Sequence, residues 1–386
     1  MFNLFKLFKN KNRSSIAYIF DISSASIGGA IVKFDGGASP RIIYSKRVEL
    51  EAPPTVDFKR LSLETFNALK KLALDIGKEG YSHLTFTGDK TLPKYAHCFL
   101  SSPYSLSETK ILRIEKPNMV FTKTIEEGLT EKEMTLFKEN ISSKYPAIQN
   151  GTETLVDKKV IEIKLNGYST SKPYGKTANI AEIALYLGIT SKDILLKFED
   201  IIMGALKIDQ KVNFHTFPLA SYFIINDTFN EDDFSILDIT GELTDISIIK
   251  NGIVLESLSF PLAKNQLTRE VARKFATSYF EADSVLKMYL DKSISKQLES
   301  KVQGIVDGYN HDFIETLRQV CPDAFSRKTY VIAPLHYGNM FVEWLKGETN
   351  QHALLVNNQL FTNKIKGISE VDAFLAIETL YMSKIL

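Results

Sequence analysis

The strongest constraint on the fold is a pattern that occurs twice. Tyr18-Ile-Phe-Asp-Ile-Ser-Ser-Ala-Ser-Ile-Gly-Gly-Ala-Ile-Val-Lys33 and Ser235-Ile-Leu-Asp-Ile-Thr-Gly-Glu-Leu-Thr-Asp-Ile-Ser-Ile-Ile-Lys250 share one plan. In each, an apolar strand runs into an aspartate, turns through small polar residues and leaves on a second apolar strand. Asp21 and Asp238 are 217 residues apart, a spacing that predicts a duplicated α/β lobe, each copy opening with a hairpin. A chain of 386 residues is long enough for two or three such units.

Between the hairpins the pattern changes. Pro103 to Thr124 reads as loop, and Leu129 to Asn140 as a helix opened by the capping-box pattern Thr130-Glu-Lys-Glu133. Lys159–Leu165 and Thr177–Tyr186 alternate as strands around Gly167 to Gly175, which makes this region a small α+β insertion. Ser191 to Leu206 follows as an amphipathic helix with Ser191 as its cap. After the second hairpin the chain is helical from Gln266 to about Arg318 and returns to strand at Thr329–Ala333. The last helix, Ser369 to Ile385, sets Val371, Phe374, Leu375 and Met382 on one face.

Charge separates the start from the body. Four of the 47 Lys and Arg residues, and none of the 46 acids, fall in residues 1–13, so the body carries net −3. That segment interleaves Phe2, Leu4, Phe5 and Phe8 with Lys6 and Lys9. At 100° per residue its apolar and basic groups separate onto two faces, with only Phe2 misplaced. This predicts a short interfacial helix, its cations meeting anionic lipid. The alternatives are a solubilising tail or a helix docked on the protein itself. The interleaving does not match a secretory signal, and no apolar run is long enough to span a bilayer. The overall charge of +1 gives no field for nucleic acid. Cys98 and Cys321 are too sparse for a disulfide framework, and the six histidines show no zinc-ligand spacing, so no structural metal is expected.

The order of Asp21-Ile-Ser-Ser, the insertion, Phe217-Pro-Leu-Ala-Ser221, Asp238-Ile-Thr-Gly-Glu-Leu-Thr-Asp245 and Pro261-Leu-Ala-Lys-Asn-Gln-Leu-Thr-Arg-Glu-Val-Ala272 resembles the actin-like ATPases. Within them it is most similar to the branch of the bacterial cell-division protein FtsA and the type IV pilus protein PilM. The resemblance covers about Ser15 to Leu386 and implies duplicated actin-like, ribonuclease H-like lobes. It divides the chain into the basic segment 1–13, a first lobe 14–88 with 190–232, an FtsA-type inserted subdomain 89–189, a second lobe 233–265 with 328–386, and a helical subdomain 266–327.

In this family the hairpin turns cradle phosphates and the aspartates hold Mg²⁺ through water. The resemblance therefore implies ATP with Mg²⁺, organised by Asp21 and Asp238, with Asp245 orienting water. Ser23, Ser24, Ser26, Gly241, Thr244, Thr268, Gly338 and Asn339 are the implied nucleotide contacts. Several positions depart from the family pattern. Ser23 stands where glycine is expected and Gly28 where a lysine would fall, leaving a phosphate partner missing. Thr240 and Glu242 replace glycines, and Pro261-Leu-Ala-Lys264 replaces a Gly-Gly. In the adenosine turn, Pro334 and Leu335 add bulk, and Gly338 with Asn339 rebuild a turn one step later.

These departures favour a scaffold with weak or no hydrolysis that links a division or pilus assembly to the inner membrane. It would lie in the cytoplasm at the membrane's inner face, held by residues 1–13, with division or pilus proteins as partners and self-association open. The alternative is an active Mg-dependent ATPase whose nucleotide state controls polymerisation or partner binding.

Overall fold

The computed structural model describes residues 14–52, 55–86, 91–144, 153–322, 328–349, 352–367 and 372–386. Residues 1–13, and with them Phe2, Leu4, Phe5, Lys6, Phe8 and Lys9, lie outside the described residues, as does Val371.

The first repeat is a meander of three antiparallel strands: β1 (Ser15–Ile22), β2 (Ser26–Phe34) and β3 (Arg41–Glu49). Helix α1 (Phe58–Asp75), capped by Asp57, continues through a π-helical turn at Ile76–Gly80 into α2 (Tyr81–Phe86). The chain then enters β4 (Tyr95–Leu100), which pairs with β1 in parallel. Tyr95–Leu100 thus belongs to the first lobe's sheet, and the insertion starts after Leu100 rather than at residue 89.

The insertion is a sheet of β5 (Leu106–Val120), β6 (Glu153–Leu165), β7 (Tyr168–Ser169) and β8 (Thr177–Ser191), with α3 (Lys123–Lys144) between its first two strands. Two expectations are corrected here. The stretch read as loop is a 15-residue strand, paired with β8 and broken by an irregularity between Glu115 and Met119, where Asn118 adopts φ 51°. Helix α3 starts at Lys123, where Thr122 Oγ1 accepts from Ile125 N at 3.3 Å. Thr130 lies inside the helix and donates to the Glu127 carbonyl at 3.1 Å, so it caps nothing.

The first sheet closes through α4 (Lys192–Leu206) and β9 (Asn213–Thr216), giving the order β3-β2-β1-β4-β9. Ser191 precedes α4 in extended conformation but makes no side-chain cap bond. Helix α5 (Phe217–Phe229) leads to the second repeat, β10 (Phe234–Ile239), β11 (Thr244–Lys250) and β12 (Ile253–Phe260). The expected long helical region divides into α6 (Lys264–Phe275), α7 (Tyr279–Leu290) and α8 (Lys296–Val320). Ala276 at φ 51° ends α6, and a Ser278–Glu281 capping box starts α7. Strand β13 (Lys328–Ile332), α9 (Gly338–Thr349) and β14 (Ala353–Leu355) complete a second sheet of order β12-β11-β10-β13-β14. Both sheets have the same connectivity, an antiparallel meander followed by two parallel strands, which is the duplication that the repeated pattern predicted.

The final helix, α10 (Ala373–Ile385), is capped by Asp372. One apolar face was expected, but every residue from Ala373 to Met382 is buried. Helix α5 is buried almost as completely, and both helices share one core with β1, β2, β10 and β13. A helix enclosed on all sides buries apolar groups all round, so a single-stripe reading undercounts its burial. Helices α1 and α4 pack on the outer side of the first sheet, and α6, α8 and α9 join the core outside the second.

Candidate functional site

The two hairpin turns meet. Asp21 closes β1 opposite Gly28, and Asp238 closes β10 opposite Asp245. All three carboxylates are buried. Burial raises Asp21 to about 6, with Arg47 opposing the shift. Asp238 is pushed well above the usual carboxylate range by burial and then by Asp245, and burial also raises Asp245. Ser101 Oγ approaches Asp238 at 3.3 Å, while Ser102 N and Ser259 Oγ donate to Asp245 at 3.4 and 2.5 Å. No group of three or more His, Cys, Asp or Glu side chains suited to a metal occurs among the described residues.

The resemblance implies a nucleotide between the lobes; the hydroxyl and turn N–H groups expected to meet its phosphates are already bonded within the chain, whereas Asp21 Oδ1 and Asp238 Oδ1 are buried without a hydrogen-bond partner among the described residues. Ser24 Oγ accepts from the backbone N–H groups of Gly241 and Glu242 at 3.1 and 2.9 Å. Those are donors of the kind that would hold a phosphate oxygen. The Ser24 hydroxyl also lies 2.9 Å from Thr240 Oγ1, which donates to the Leu243 carbonyl at 2.9 Å. The turns touch so closely that a Cβ at Gly241 would come within 2.5 Å of the Ser24 carbonyl oxygen.

Ser23 Oγ bonds the Ser26 carbonyl at 3.0 Å, Thr244 Oγ1 the Leu262 carbonyl at 2.7 Å, and Thr268 Oγ1 the Lys264 carbonyl at 3.1 Å. Ser26 Oγ accepts from Arg47 Nη1 at 2.8 Å. Gly338 and Asn339 directly follow the cavity-lining Ala333–Tyr337. They open α9, where a Cβ at Gly338 would meet Leu355 Cδ1 at 2.4 Å, so the expected rebuilt turn is a helix start packed on β14.

Arg47, which the sequence reading missed, explains Gly28. It is the cross-strand partner of Gly28 on β3, and a Cβ there would lie 2.6 Å from its Nη2. The guanidinium therefore occupies the space beside the position where a lysine was expected. It is committed to acids: Nη2 lies 2.7 Å from Asp21 Oδ2 and 3.0 Å from Asp372 Oδ1, and Nε bonds Asp372 Oδ2. Buried Glu378 of α10 lies beside this cluster, its carboxyl pushed far up by burial and by Asp21. Glu242, expected to repel phosphate, turns to the second lobe, where Asn265 Nδ2 and Arg269 Nη2 donate to its Oε1 at 2.8 and 2.5 Å.

A triphosphate does not fit the closed turns. The turn donors that would hold its phosphate oxygens are taken by Ser24, and Asp21 Oδ2 is held by Arg47. Beside the closed turns a cavity of about 420 Å³ remains, walled on one side by Ala333–Tyr337 and on the other by Ser26, Arg47 and Phe374.

This is the actin-like ATPase fold: two lobes of common topology, an inserted subdomain and a cavity beside the paired turns. No protein-family model matches the sequence, and no curated protein is detectably similar to it. Among solved structures the chain is similar to one from the "PilM-PilN type IV pilus biogenesis complex". That likeness has a TM-score of 0.63 at 13% identity and covers 96% of this chain and 98% of that one. Weaker likenesses are the ethanolamine utilization protein EutJ from Carboxydothermus hydrogenoformans (TM-score 0.47, 10% identity, 97% and 93% covered) and a Bacteroides thetaiotaomicron protein of unknown function with an actin-like ATPase fold (0.42, 11%, 99% and 99%). At these identities the likeness is one of fold.

Proposed function

We propose that this protein is a nucleotide-independent actin-like scaffold of a type IV pilus assembly, held at the inner face of the cytoplasmic membrane by residues 1–13. The observation that carries this reading is the pair of N–H bonds from Gly241 and Glu242 to Ser24, which makes the chain its own phosphate substitute. In an actin-like ATPase the ligand joins the lobes through these turns; here side chains join them without a ligand. The choice of pilus over division assembly is supported by the near full-length likeness to the PilM–PilN complex chain. The basic, phenylalanine-rich start supplies the membrane contact.

Flotation on anionic vesicles tests the reading. The full chain floats, a chain lacking residues 1–13 stays at the bottom, and MgATP leaves both fractions unchanged. Equal flotation of the two chains removes the membrane role, and a nucleotide-dependent fraction removes the nucleotide independence.

A further inference from the structure

The 420 Å³ cavity beside the closed turns is large enough for a ligand of about 20 heavy atoms. Its walls are mostly apolar, with Pro334, Leu335, Val356 and Phe374 around the opening, and its charges are arranged unequally. Arg47 is locked by Asp21 and Asp372. The other two cations, Lys264 of α6 and Lys287 of α7, share two acids. Asp283 holds both from behind, at 3.0 and 2.9 Å, and is itself fixed by the Tyr337 hydroxyl at 2.7 Å. Glu49, at the end of β3, reaches across from the first lobe and meets Lys264 at 3.6 Å and Lys287 at 3.2 Å.

These two acids differ in how they are held. The side chain of Asp283 is 8% exposed and that of Glu49 is 53% exposed, so Glu49 can leave for water at little cost while Asp283 cannot. Lys264 is fixed as well: its side chain is 3% exposed and its ammonium lies 5.3 Å from the centre of the Tyr337 ring. The lysine pair, held by Asp283, is thus a receptor for one carboxylate-like group, and Glu49 is a loosely held occupant of it.

The geometry points to a binding site for a small monoanion with an apolar body, whose anionic group replaces Glu49 between Lys264 and Lys287. Exchanging one negative charge for another keeps the lysine pair neutralised. A triphosphate would add several unpaired charges beside Asp283 and Asp372, so the specificity rests on the nucleotide-independent reading above. Binding also releases a tie between the lobes, because Glu49 belongs to the first and both lysines to the second.

The probe is 1-anilinonaphthalene-8-sulfonate, a flat monoanion of suitable size, titrated by fluorescence into the full chain. Its neutral counterpart lacking the sulfonate, N-phenyl-1-naphthylamine, serves as the control. Removing the competing carboxylate with Glu49→Gln tightens the sulfonate about tenfold, and Lys287→Gln weakens it about tenfold, each corresponding to one charge-assisted contact. Neither change moves the neutral control by more than about twofold. Equal affinities of wild type and Glu49→Gln for the sulfonate overturn the proposal, as does an equal response of the neutral probe. Displacement of the sulfonate by MgATP instead contradicts the nucleotide-independent reading while leaving the exchange at Glu49 intact.

Discussion

Ser24 and Thr240 are 216 residues apart in the chain and their hydroxyl oxygens are 2.9 Å apart in the fold. Thr240 uses its one O–H to donate a hydrogen bond to the Leu243 carbonyl, so Ser24 donates to Thr240 and accepts from the two backbone N–H groups beyond it. One serine thereby satisfies the buried turn of the other lobe. Ser24→Ala leaves both N–H groups without a partner and costs about 1 to 3 kcal/mol, read as a lower urea midpoint at unchanged slope. An unchanged midpoint would show that the turns do not depend on this contact.

Arg47 is expected to be the costlier deletion. Removing it strands buried Asp21 and part-buried Asp372, and breaking a buried ion pair from one side costs about 3 to 5 kcal/mol. Arg47→Met alone should therefore unfold at markedly lower urea, and Arg47→Met with Asp21→Asn should recover part of the loss. A double variant no better than the single one would mean that Asp21 is indifferent to the guanidinium.

The Glu242–Arg269 pair makes the same point within the second lobe. Both side chains are buried, at 6% and 9% exposure, so Arg269→Ala strands a carboxylate and Glu242→Gln in that background relieves it. Chemical unfolding of the two single variants and the double variant measures the coupling, which should exceed about 1 kcal/mol.

Acid stability depends on a different pair. His97 Nδ1 lies 3.2 Å from His215 Nε2 between β4 and β9, and Asp157 of the insertion lies 3.9 Å from the far side of the His215 ring. Burial, then His215, lowers His97 to about 3. The unfolded chain therefore binds a proton near pH 6.5 that the folded chain refuses. Stability is fully present above that pH and declines as pH falls towards 3, by up to about 1.4 kcal/mol per unit for this one group. His97→Gln should flatten the decline between pH 6 and 4 in urea titrations. An identical slope would place the acid sensitivity elsewhere.

The repeated strand–aspartate–turn pattern made the duplicated lobes legible, because apolar strands ending in Asp21 and Asp238 have few other uses. Ser23, Ser24, Ser26, Gly241 and Thr244, singled out in the sequence, lie in the two turns or at the strand ends that flank them. Their commitment to internal bonds was not legible, because hydroxyl partners such as Ser24 and Thr240 are set by how the lobes close. Arg47 was missed because its importance is a matter of register: only pairing β2 with β3 puts it beside Gly28. Strand β5 was hidden by its charged, largely exposed face and by Pro117 and Asn118 at its irregularity. Helices α5 and α10 present no single stripe because they are enclosed between the lobes.

Closure of the turns that would hold phosphate rests on the chain's own side chains. It is tested most directly by the melting temperature of the wild-type protein titrated with MgATP to millimolar concentration. A ligand that binds only the folded state must raise the midpoint in proportion to the logarithm of its concentration. The midpoint should not move; a rise that grows steadily with MgATP would contradict closure of the turns by side chains.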